Sequence, residues 1–179
     1  EPGPRMANTD WFRIDIHGTS CHGAMPQRGA DAVMAAAEIV NALQTIVSRE
    51  ISPYEPAVVT VGEIHGGTAR NVIAGSAYLT GTVRTYSDTA HEMMPELIKR
   101  IVTHTAMALG ADAELTDYTV ANVKVENEAA SSERARTALV KVLGEGAVGR
   151  YRGTLSGEDF SAYLQHVPGM LAFVGCRNP

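Results

Sequence analysis

One histidine stands in a setting suited to chemistry. His22 lies in the loop GTSCHGAMPQRGAD, residues 18–31, among small residues and Pro26, between an alternating apolar segment and a helical one. Strand–loop–helix junctions hold a side chain firmly while leaving it open to a ligand. No carboxylate or second histidine stands at metal-ligand spacing; the nearest, His17, is five residues upstream. That argues against a metal within the loop and leaves two readings. His22 is either a donor to a developing oxyanion, a role that needs fixed aim more than charge, or a structural, solvent-facing histidine. Asn71, in GTARNVIAG, either caps a turn or holds a substrate carboxylate. Arg84 is either a solvated strand arginine or a bidentate carboxylate receptor. Ser156, Gly157, Glu158 and Asp159 precede a short helix, whose free amides can take an anion or be capped. No G-x-S-x-G elbow supports a serine hydrolase, and Gly66-Gly67-Thr68 is no phosphate loop.

The elements that must position these residues are legible in the periodicity. Residues 11–17 alternate, with Phe12, Ile14 and Ile16 on one face and Arg13, Asp15 and His17 on the other, predicting a half-buried strand. Residues 31–48 place Ala32, Ala36, Ile39, Val40, Leu43, Ile46 and Val47 on one helical stripe. Ser52-Pro53 breaks the chain before a β-branched strand at 57–64. A third strand at 76–86 puts Ala77, Leu79 and Val83 on one side and Tyr78, Thr80, Thr82 and Arg84 on the other. A second helix covers roughly 89–109, with Pro95 marking its expected true start. A fourth strand follows at 112–120. Two helices on one face of a four-stranded antiparallel sheet give an α+β, ferredoxin-like sandwich. Its other face and an edge stay open to a partner.

After residue 120 the character changes. A helix at 132–143 with Ala135, Ala138, Leu139, Val142 and Leu143 on one face is followed by a Gly-rich stretch, LSGEDFSAYL, and an apolar strand at 170–175. These sixty residues are too few for a domain and read as part of an α/β domain completed elsewhere. The opening Glu1, followed by PGPRM, reads as a segment entered mid-protein. The partition expected is a linker at 1–9, a lid at 10–119 and a partial catalytic segment at 120–179. The net charge of −5 and the lack of a basic cluster argue against a nucleic-acid partner. No apolar run has the length of a membrane span. Two cysteines, Cys21 and Cys176, suit a reducing cytoplasm.

Five ordered motifs, GTSCHGAMPQRGADAV, VVTVGEIHGGTARNVIAG, LTGTVRTY, SGEDFSAYL and VPGMLAFVGCRNP, cover most of the chain. Together they resemble the amidohydrolase branch of the zinc aminoacylase/carboxypeptidase superfamily, metallopeptidase family twenty. That branch includes hippurate hydrolases, N-acyl-amino-acid deacylases and auxin-conjugate hydrolases. The resemblance implies a metal-bearing catalytic α/β domain with an inserted ferredoxin-like lid through which the enzyme forms a homodimer. It implies that His22 reaches the neighbouring subunit's active site and stabilises the oxyanion. It further implies that Asn71 and Arg84 contact substrate, Arg84 at the carboxylate, and that the Gly157 backbone lies beside that carboxylate. Ala74 stands where the family has Pro, Ser156 where it often has Gly, and Cys21 replaces a frequent Gly.

The family's metal ligands and general base match no residue of this chain. The resemblance places them before Glu1 and just after Pro179. A divalent metal, zinc, manganese or similar, is therefore expected in the complete enzyme, with none held at a catalytic site here and the chain alone inactive. The complete enzyme is expected to cleave the amide bond of an N-acyl amino acid with metal-activated water. The competing reading is a stand-alone dimerisation or small-ligand module without hydrolysis. Such a module has no need of the SGEDFSAYL and VPGMLAFVGCRN segments.

Overall fold

The computed structural model describes residues 1–176; the last three residues of the GCRNP stretch lie outside them. The chain begins with β1 (Gly3–Met6) and continues into β2 (Asn8–His17), where Phe12, Ile14 and Ile16 are buried as the alternation requires. After the His22 loop, which contains the two-residue strand β3 (Cys21–His22), comes α1 (Ala32–Thr45). Asp31 caps it by accepting from the amides of Val33 and Met34. The stripe expected for this helix is the buried one: Ala32, Ala36, Ile39, Leu43 and Ile46 are all inaccessible.

Strand β4 (Ala57–Gly66), the short β5 (Val72–Ile73) and β6 (Ser76–Thr85) follow. Then come α2 (Asp88–Ala108) and β7 (Asp112–Asn122). The main sheet runs β4-β6-β2-β7 with every pair antiparallel. Both helices cover one face, as in a ferredoxin-like sandwich. Ile14, Ile16, Ile39, Leu43, Leu79, Met94, Ile98 and Val102 form the centre of the core between them. The other face is open, and Trp11 on it is 57% exposed.

Pro95 does not start α2. Ser87 caps the helix shortly after β6 ends at Thr85, its hydroxyl accepting from the Ala90 amide, and Pro95 lies in the interior. An interior proline costs about 3 kcal/mol. Buried Ala90 and Met94 before it, and Leu97 and Ile98 after it, bind both halves of the helix to the sheet and outweigh that cost.

Beyond the sheet, β8 (Val125–Asn127) returns to pair with β1, setting Met6 opposite Val125. Asn8 fastens the crossing: its amide donates to the Thr85 carbonyl at 3.2 Å and its oxygen accepts from the Lys124 amide at 2.8 Å. Helix α3 (Ala129–Leu143) begins earlier than the periodicity suggested because Glu128 caps it, accepting from the Ser131 amide. Its apolar stripe is not a core face: Leu139, Val142 and Leu143 are exposed, Val142 by 79%. A last short helix, α4 (Ser161–Leu164), follows. The strand expected at 170–175 is not formed. An apolar run becomes a strand only beside a partner for its amides and carbonyls. Here Leu171 instead exchanges hydrogen bonds with the side chain of Asn127 at 2.8 and 2.9 Å.

Candidate functional site

The four candidate residues fall into two pairs. His22 is brought to Asn71 by a ladder too short to show in any pattern: Cys21 pairs with Ile73, and His22 with Val72. The Gly23 amide donates to the Asn71 carbonyl at 2.8 Å. A Cβ at position 23 would stand 3.0 Å from that oxygen, so glycine lets the two loops touch. His22 is exposed, and its Nδ1 accepts from the Ala24 amide at 3.1 Å. A neutral ring held this way carries its proton on Nε2, as a donor to a ligand. The Asn71 side chain is exposed. A shallow cleft of about 420 Å³ opens beside Val72, between the 66–74 loop and the start of α1, with Arg70 on its wall. A second cleft, between α1 and α2 around Ile101, lies far from these residues.

Arg84 and Gly157 form the other pair. Arg84 sits opposite Thr9 in the β2–β6 register. The tail passes directly over Thr9: Ala7 donates to the Ser156 carbonyl at 3.0 Å, and a Cβ on Gly157 would meet the Thr9 hydroxyl at 2.1 Å. That buried hydroxyl has no partner among the described residues. Of the half-buried arginines, Arg5 and Arg13 each have a carboxylate partner, but Arg84 has none among the described residues. Burial lowers the Arg84 pKa from its usual value, and nearby Asp10 offsets part of this. The guanidinium is a cation partly stripped of water and left unpaired.

Asp10, beneath this pair, went unrecognised in the sequence. Its side chain is inaccessible; one oxygen lies 2.9 Å from His91 Nε2 and the other accepts from the Tyr118 hydroxyl at 2.8 Å. The hydrogen bond to Asp10 raises the His91 pKa above its ordinary value, while burial and the same carboxylate push the Tyr118 phenol strongly upward. A signal was there: Asp10 shares the parity of Phe12, Ile14 and Ile16, which places a charge on an apolar face.

The two pairs stand at opposite ends of β6. Gly18 donates to Gly75 at the His22 end, and Arg84 lies eight residues beyond Ser76, about 26 Å along an extended strand. Among the described residues, no group of three or more His, Cys, Asp or Glu is placed to hold a metal ion. No residue here is therefore assigned as a metal ligand.

Residues 7–109 match the family model for the peptidase dimerisation domain of family M20. The chain belongs to that family. It is 32% identical over 176 residues to the N-acetyl-L-cysteine deacetylase of Bacillus subtilis, covering 97% of this chain and 41% of that protein. It is 33% identical over 180 residues to the N-acetyldiaminopimelate deacetylase of Brevibacillus brevis, covering 100% of this chain and 47% of that protein. A crystal structure from Bacillus subtilis, described as a dinuclear metal-binding peptidase of the M20 family, superimposes with a TM-score of 0.75. It is 29% identical, with 95% of this chain and 41% of that chain covered. This M20 chain thus spans less than half the length of these relatives. No helix among its described residues is long and apolar enough to cross a membrane.

Proposed function

We propose that this chain supplies the lid and part of the catalytic domain of a divalent-metal-dependent amidohydrolase that cleaves N-acyl amino acids. The observation that carries the reading is Arg84, a half-buried guanidinium without a carboxylate partner among the described residues, on the strand position opposite Thr9, over which Gly157 passes. A desolvated cation of this kind is suited to the free carboxylate of an amino-acid substrate. The names of both deacetylase relatives, acting on N-acetylated amino acids, agree with that ligand.

In this reading residues 10–119 are the lid and dimerisation unit, 1–9 a linker, and 120–179 a catalytic-domain segment. The metal, held outside this chain, supplies an activated water. The residues here bind and orient: Arg84 and Gly157 hold the carboxylate, Asn71 adds an amide contact, and His22 Nε2 donates to the oxygen that gains charge. The exposed stripe of α3 supports a missing neighbour rather than a free-standing module. The chain alone is then inactive. The two free cysteines suit a cytoplasmic enzyme.

An N-acyl amino acid, shorter than three extended residues, spans at most about 10 Å. The separation of the two pairs therefore supports a homodimer in which His22 and Asn71 of one subunit complete the site holding Arg84 and Gly157 of the other. The test is complementation. His22→Ala and Arg84→Ala forms of the whole enzyme are each assayed alone and then co-expressed. Shared sites predict about a quarter of parental activity in the mixture, since half the dimers are mixed and each regains one intact site. A mixture no more active than the single variants would refute the sharing.

A further inference from the structure

The hydrogen bonds around Arg84 are one-sided. Its Nη1 donates to the Thr82 hydroxyl and, at 3.1 Å, to the Val83 carbonyl, while Nε and Nη2 have no partner among the described residues. Thr82 lies two residues before Arg84 on the same face of β6, so its side chain reaches the guanidinium without a bend in the strand. The hydroxyl is itself oriented. Its single proton goes to the Asp10 carbonyl at 2.8 Å, so toward Arg84 the oxygen is an acceptor only. Asp10 in turn is fixed by His91 and Tyr118 from two other elements. A rigid series of contacts therefore runs from α2 and β7, through the β2 backbone, to one edge of the guanidinium.

We propose that Thr82 is a positioning residue for substrate binding: it occupies Nη1 and turns the Nε–Nη2 edge of Arg84 outward to receive the carboxylate side-on. This rests on the reading of Arg84 as the carboxylate receptor. The Nε–Nη2 edge offers two parallel donors matched to the two oxygens of a carboxylate. An arginine free to rotate would lose rotamer freedom on binding; one already held by Thr82 has lost it beforehand.

The test uses the whole metal-loaded enzyme and two substrates, an N-acyl amino acid and its uncharged carboxamide. Thr82→Val should raise KM for the carboxylate substrate about tenfold, the scale of one hydrogen bond to a charged group. It should leave kcat and the kinetics on the carboxamide unchanged. Thr82→Ser, which keeps the hydroxyl, should restore the parental KM. If Thr82→Val does not yield folded enzyme, Thr82→Ala carries the same expectation. Parental kinetics in Thr82→Val alongside a raised carboxylate KM in Arg84→Ala would overturn the positioning role alone. Arg84→Ala with equal losses on both substrates would overturn the underlying reading of Arg84, and the proposal with it. Equal losses on both substrates in Thr82→Val and Thr82→Ser would mark a merely structural threonine.

Discussion

At the Gly75 end of the sheet, His22 and Asn71 stand exposed on loops joined by a two-residue ladder. At the Arg84 end, Arg84 stands opposite Thr9, over which Gly157 passes, and the buried Asp10 beneath is held by half-buried His91 and Tyr118. The first end presents donors with little around them, as suits residues that act on a neighbouring subunit. The second is pre-organised within one chain, as suits a binding pocket. The contrast teaches that one chain can divide its labour by distance, keeping the group proposed to act in turnover far from the groups proposed to bind.

The largest effect is expected at the open end. His22→Ala in the whole enzyme should lower turnover by about 2.7–4 kcal/mol, the scale for an oxyanion donor, with metal content unchanged. Turnover within a few-fold of the parent would end that role. Arg84→Ala should act chiefly on KM for carboxylate substrates, by about 1.5–3 kcal/mol. A fall in kcat instead, measured at saturating substrate, would erase the distinction between the ends. Gly157→Ala forces a Cβ against Thr9; overpacking of this kind costs about 1–3 kcal/mol. It should lower the melting temperature, and Thr9→Ser should not rescue it while Thr9→Gly should.

The smallest effect concerns pH. His91 faces Asp10, with Asp88 and Glu92 nearby, and all three raise its pKa above 6.5. Because the folded value is the higher one, the stabilisation is complete below the unfolded pKa and is lost as pH rises through the folded pKa. Chemical denaturation across about pH 6 to 8 should show this decline in the parent and a flatter profile in His91→Gln. Identical profiles would show that the pair does not titrate with folding.

The sandwich was legible because its strands and helices alternate or repeat over many residues, as with Ile14 and Ile16 or Ile39 and Leu43. The motifs single out Asn71 and Arg84 as candidates, but not their separation, since it follows from strand pairing. The Cys21–Ile73 ladder has no period to read. Thr82 looked like an ordinary polar-face threonine, because its partner Asp10 is distant in sequence. The run at 170–175 suggests a strand by composition alone, which says nothing about whether a neighbouring strand exists to pair with it.

Met6 lies opposite Val125, so the sheet and its two helices leave the β1–β8 ribbon and return to it at a single point. A unit whose two ends touch can be lifted out and the break closed by a short turn. The same adjacency makes the unit interchangeable: a different sandwich with equally close ends fits the same gap. In the proposed homodimer, the contacts between subunits would then move with the graft, without redesign of the ribbon that carries it.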